Sequence, residues 1–101
     1  ELLLTAQPMT AQRLQGLGYV NSVVPLADLR EKALEMARQI AANAPLTVKA
    51  ARELVYLSTE MGRSAALRAA YPLFDSVYLS ADAQEGPRAF AEKRPPQWQG
   101  K

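Results

Sequence analysis

The chain has 101 residues, enough for one small domain. It contains no cysteine and no histidine, which excludes thiol and imidazole catalysis, disulfides and the commonest transition-metal ligands. Lys and Arg number 12 against 10 Asp and Glu, a net charge of +2. Both signs are spread along the chain with no basic block between aromatics, so nucleic-acid binding is not expected.

Hydrophobic residues make up 49% of the chain, but many are alanines, which bury little area each. The expected core is thin, with apolar helix faces left over for a partner. No run approaches the roughly 20 apolar residues that span a bilayer, so no membrane partner is expected. The opening at Glu1, without a basic leader, is not expected to carry a secretory signal and reads as a cut from something longer. A cytoplasmic location is the expectation.

Glu1 to Thr5 reads as the last turns of a helix, broken at Gln7-Pro8-Met9. Thr10 is the expected N-cap of a short helix from Ala11 to Leu17, stopped by Gly16 and Gly18. Tyr19 to Val24, apolar and β-branched, is a short strand or an extended segment. Ala27 to Ala42 is a helix with Leu29, Ala33, Met36, Ala37 and Ile40 as its apolar stripe. Asn43-Ala44-Pro45 punctuates, with Pro45 suited to the first helical position.

A helix from Leu46 to Met61 carries Val48, Ala51 and Val55 on one side with Leu54 and Leu57 beside them, and Gly62 closes it. The helix from Ser64 to Leu79 places Leu67, Tyr71, Phe74 and Tyr78 at helical spacing, with both tyrosines expected half-buried. Pro72 should kink it. For the last helix, Ser80 and Asp82 are N-cap candidates, Glu85 a capping carboxylate and Phe90 the apolar anchor, with Pro87 tolerated near the first turn. Pro95-Pro96 ends it, and Gln97 to Lys101 should be extended or mobile. The fold class is all-α: four to five helices with one short extended segment.

Few residues suggest chemistry. Asp82 and Glu85 have the form of an acid/base couple, but capping explains them better. Glu31 and Glu35 lie among Arg30, Lys32 and Arg38 and read as a solvated helix face. Phe74 sits at core spacing. Lys93 and Arg94 form a basic last turn that complements the helix dipole. Gly16-Leu17-Gly18 follows a helix, the reverse of the order a phosphate-binding loop needs.

Several motifs occur together: Leu2-Leu3-Leu4-Thr5, Gly18-Tyr19-Val20-Asn21-Ser22-Val23-Val24-Pro25, Ser80-Ala81-Asp82-Ala83-Gln84-Glu85-Gly86 and Ala89-Phe90-Ala91-Glu92-Lys93-Arg94. In this order they resemble the closing third of the enoyl-CoA hydratase/isomerase (crotonase) family, across essentially all of the chain. Tyr19, Ala70 and Pro72 depart from that pattern. The resemblance implies that residues 1–101 are the C-terminal helical, trimerisation part of a crotonase-like fold. An N-terminal spiral of ββα units, with the oxyanion hole and catalytic carboxylates, would lie outside them. No catalytic residue carries over, and the chain alone is expected to be inactive.

The implied reaction is hydration of a 2-enoyl-CoA. Coenzyme A enters as part of the acyl-CoA substrate, and no other cofactor or metal is implied. Phe74 matches the aromatic that lies against the adenine of a neighbouring subunit's CoA. Lys93 matches the lysine near the nucleotide end, where Arg94 could add a fork. Implied partners are further copies of the chain, as trimers paired into hexamers; apart from the resemblance, the uncovered helix faces allow a swapped dimer. The alternative is a non-catalytic helical oligomerisation module that binds no CoA.

Overall fold

The computed structural model describes residues 1–101, which form six α-helices and no strand. They divide into two compact units, Glu1–Met36 and Ala37–Lys101.

In the first unit, α1 spans Leu2–Thr5 and ends on Ala6 in the left-handed region, φ 50°. Helix α2 spans Ala11–Gly16. Its N-cap is Thr10, whose hydroxyl accepts the Arg13 N–H at 3.2 Å, as the sequence predicts. Its C-terminus closes in a Schellman motif: Gly18 N–H donates to Gln15 O at 2.9 Å and Tyr19 N–H to Leu14 O at 2.9 Å. Gly18, at φ 74°, takes the left-handed position that glycine fills without steric cost. Tyr19 to Val24 has no partner strand and is bent then extended. A 3-10 turn, Leu26–Asp28, leads into α3, Leu29–Ala41, which carries the chain into the second unit. The apolar stripe on α3 is open: Leu29 is 53% exposed and Ile40 52%.

The second unit is built on a pair of helices, α4, Pro45–Glu60, and α5, Arg63–Tyr78. They pack against each other through the turn at Met61-Gly62. Pro45 stands at the first turn of α4, where its missing N–H is harmless. The inward line of α4 is Leu46, Ala50, Leu54 and Leu57, while Ala51 and Val55 face outward. On α5 the inward line is Ala66, Ala70, Leu73 and Val77. The stripe expected inside, Leu67, Tyr71, Phe74 and Tyr78, lies one residue round the helix and is exposed. Tyr71 and Tyr78 are therefore not half-buried. The four buried hydrophobic residues of the whole chain are Ala50, Ala66, Ala70 and Ala89. Alanine lets helix backbones approach closely but encloses little area, so the larger side chains next to it stay at the surface.

Pro72 lies inside α5, which continues through it as one helix. Helix α6, Ala81–Ala91, is capped by Ser80, whose Oγ accepts the Ala83 N–H at 3.1 Å. Pro87 falls beyond its first turn, because the helix starts at Ala81. The anchor of α6 is Ala89, 2% exposed, and Phe90 points outward at 87% exposure. The tail Gln97 to Lys101 is extended but tied down. Its fastenings are formed by α6 and by the carbonyl of Ala42.

No helix is long and apolar enough to cross a membrane.

Candidate functional site

The inward face of α6 is formed by Asp82, Glu85, Gly86 and Ala89, and the chain after the helix folds back along it. Asp82 is 3% exposed. Its Oδ1 accepts the Gln99 N–H at 2.7 Å and its Oδ2 the Gly100 N–H at 2.9 Å. Asp82 is thus not the N-cap. Ser80 holds that role, and the carboxylate satisfies two tail amides that helix spacing does not reveal.

Glu85 is not a capping carboxylate either. Its Oε1 accepts from Arg94 Nη1 at 2.6 Å and its Oε2 from Nη2 at 3.0 Å, a bidentate fork. Oε1 also accepts the Gln97 N–H at 2.7 Å. The Arg94 hydrogen bonds, and then the Gln97 N–H, lower the Glu85 pKa to about 2. The tail is completed by Trp98, whose indole N–H donates to Ala42 O at 2.8 Å. The ring lies over Gly86, close enough that a Cβ there would sit 3.4 Å from Cη2. Lys101 O accepts the Ala81 N–H at 2.8 Å, at the start of α6.

Asp82 and Glu85, which have the form of an acid/base couple, therefore have their oxygens engaged by Arg94 and tail amides, which is a structural arrangement. Glu31 and Glu35 lie on the exposed face of α3, and Glu35 pairs with Lys32 at 2.6 Å. Arg94 is likewise committed. Besides Glu85 it donates through Nε to Glu92 and through Nη1 to Pro95 O at 3.2 Å. The expectation that its fork is open to a phosphate does not fit these contacts.

Phe74 lies on the outward stripe of α5, 47% exposed. Lys93 follows the end of α6. It occupies the left-handed position of a second Schellman motif, φ 53°, with its N–H on Phe90 O at 3.2 Å and the Arg94 N–H on Ala89 O at 3.0 Å. Its side chain is exposed and forms no ion pair, because the adjacent Glu92 is bound by Arg94. No ring contact or hydrogen bond joins Phe74 to Lys93. The two stand on separate parts of the second unit.

The family model for enoyl-CoA hydratase/isomerase matches residues 1–101. The chain belongs to the enoyl-CoA hydratase/isomerase family. It is 41% identical over its whole length to enoyl-CoA hydratase EchA19 of Mycobacterium tuberculosis, of which it spans 38%. It is 41% identical to carnitinyl-CoA dehydratase of Proteus mirabilis, again over its whole length and 40% of that protein. Among solved structures, an enoyl-CoA hydratase/isomerase from Mycobacterium paratuberculosis superimposes with a TM-score of 0.90 at 36% identity. That match covers 99% of this chain and 39% of the other. Enoyl-CoA hydratase from M. tuberculosis superimposes with a TM-score of 0.92 at 33% identity, over 97% and 39%. The 101 residues thus span about two-fifths of the relatives they match. The helical fold is that of the corresponding part of crotonase-fold hydratases.

Proposed function

We propose that these residues are the C-terminal helical region of a crotonase-family acyl-CoA enzyme, a 2-enoyl-CoA hydratase working in the cytoplasm. Their role is subunit assembly and one part of the CoA nucleotide site, formed by Phe74 and Lys93. The observation that carries this reading is the uncovered apolar surface on a fold matched end to end by the family. Leu67, Tyr71, Phe74 and Tyr78 form one exposed stripe on α5, and Leu79 and Phe90 are also open. Surface of this kind is kept for contact with other protein or with ligand. Both named relatives above, a hydratase and a dehydratase, add or remove water from a CoA thioester, and this supports the water-addition chemistry.

The chemistry itself is assigned to the part of the fold outside residues 1–101. There an oxyanion hole would stabilise the enolate-like charge on the thioester oxygen, an electrostatic effect of about 3–4 kcal/mol per donor. Within the chain, Asp82 and Glu85 are held by tail amides and Arg94, which favours a purely structural use of both.

The test is hydration of a short 2-enoyl-CoA by the purified chain, followed through loss of the conjugated thioester absorbance. No turnover above buffer is expected. Clear turnover would overturn the reading and return Asp82 and Glu85 to the position of candidate acid and base. Sedimentation equilibrium of the same sample should give a mass of three or more chains, or of two if helices are swapped. A second reading, a helical oligomerisation module without CoA binding, is favoured by the same uncovered stripe. Titration with adenosine 3′,5′-bisphosphate separates the two, since only the CoA-site reading expects binding.

A further inference from the structure

We infer that Arg94, held by Glu85, is a positioning residue that presents Lys93 to a phosphate group. The inference rests on the reading of Lys93 as a nucleotide-end contact, and it adds the device that makes such a contact available. Lys93 has a left-handed backbone, φ 53°, that is costly for a residue with a Cβ. A conformation of this kind persists only where the surroundings over-determine it. Here they do so from both sides. The Lys93 N–H is bound to Phe90 O at 3.2 Å and the next N–H, of Arg94, to Ala89 O at 3.0 Å. The Arg94 side chain is then fixed to the body of α6 by the fork to Glu85, at 2.6 and 3.0 Å, nine residues away in sequence.

The same guanidinium has a second effect. It binds Glu92, the residue before Lys93, through Nε and Glu85 through both terminal nitrogens. Lys93 is left exposed and without an ion pair. A compact, unpaired ammonium on a fixed backbone is suited to phosphate oxygens. Arg94, with its donors engaged internally, is not. The arrangement assigns one cation to structure and its neighbour to ligand.

The experiment measures the affinity of the chain for adenosine 3′,5′-bisphosphate by calorimetry. Lys93→Ala should weaken binding about threefold to fivefold, the scale of one exposed charge pair. Arg94→Ala should weaken it by a similar factor, and the double variant no further than either single one. Arg94→Lys, which keeps the charge and loses the fork, should not restore affinity. Glu85→Gln is the deciding variant. It makes the chain more positive and leaves Arg94 charged, yet it should weaken binding because the clamp is loosened. Tighter binding in Glu85→Gln would mean that Arg94 itself meets the phosphate, and would overturn the inference. So would additive losses in the double variant, or full rescue by Arg94→Lys. If Lys93→Ala binds like the unmodified chain, or the unmodified chain does not bind, the nucleotide-site reading itself fails. Far-UV circular dichroism checks that α6 persists. Glu85→Gln, close in shape to the original, keeps the test decisive should Arg94→Ala unfold.

Discussion

The indole N–H of Trp98 donates to the carbonyl oxygen of Ala42 at 2.8 Å, joining positions 56 residues apart. Ala42 lies between α3 and α4, and Trp98 lies in the tail beyond α6. In a unit whose buried hydrophobic residues are all alanines, such a fastening has unusual weight. Pro95-Pro96 restricts the backbone just before it, which lowers the entropy lost on docking the tail. The tail is thus a structural element of the second unit.

Trp98→Phe keeps an aromatic ring but removes the donor and the far ring edge, Cη2 and Cζ3, that meets Gly86, at an expected cost of about 1 kcal/mol or more. Trp98→Ala removes the ring as well and should cost about 2 kcal/mol or more. Urea unfolding of the three proteins measures both steps. Equal stability of Trp98→Phe and the unmodified chain would show that the bond to Ala42 contributes nothing.

Asp82 gives a sharper contrast. Its two oxygens each accept one tail amide and it is 3% exposed. In Asp82→Asn one acceptor becomes an NH2 that confronts a donor, so one amide loses its partner. The expected loss is about 1–3 kcal/mol. Hydrogen exchange should quicken at the Gln99 and Gly100 amides, while Ala83 N–H, which Ser80 caps, stays protected. Loss of protection at Ala83 first would instead make Asp82 a true cap.

The acid dependence follows from Glu85. Arg94 and the Gln97 N–H lower its pKa from 4.5 to about 2 in the folded chain. A carboxyl depressed on folding contributes stability that is complete above its unfolded value. That contribution is lost as pH falls from about 4.5 towards 2. Glu85→Gln lacks this ionisation. The difference in unfolding midpoint between the two proteins should therefore be constant from neutral pH to about 5 and shrink towards pH 2. A difference that stays constant down to pH 2 would show that the fork does not form in solution.

The all-α class, the helix order, the Thr10 and Ser80 caps and Pro45 at its helix start were all legible, because they rest on local rules. What was not legible depends on which side of a helix another element covers. On α5 the stripes Ala66-Ala70-Leu73-Val77 and Leu67-Tyr71-Phe74-Tyr78 have equally good helical spacing. Hydrophobic size favours the second, and the close fit of α4 selects the first. The same holds for Phe90 against Ala89. The sequence presents the carboxylates of α6 as caps because their partners, Arg94, Gln97, Gln99 and Gly100, lie 9 to 18 residues further on. No helical period reports such pairs, and only the reversal at Pro95-Pro96 hints that the tail turns back.

Lys93→Gly joins stability to the candidate site. Glycine takes the left-handed position without the Cβ clash that lysine bears at φ 53°. Relief of that clash exceeds the extra freedom glycine gains in the unfolded chain, so the variant should be more stable by about 0.5 kcal/mol. The same change removes the one unpaired ammonium of the α6 terminus, so affinity for adenosine 3′,5′-bisphosphate should fall as far as in Lys93→Ala. A more stable protein that binds less well is the pattern expected when a residue is kept for ligand at the expense of the fold. If Lys93→Gly is no more stable than the unmodified chain, the left-handed lysine carries no strain. If it is more stable and binds equally well, the position serves the helix end alone.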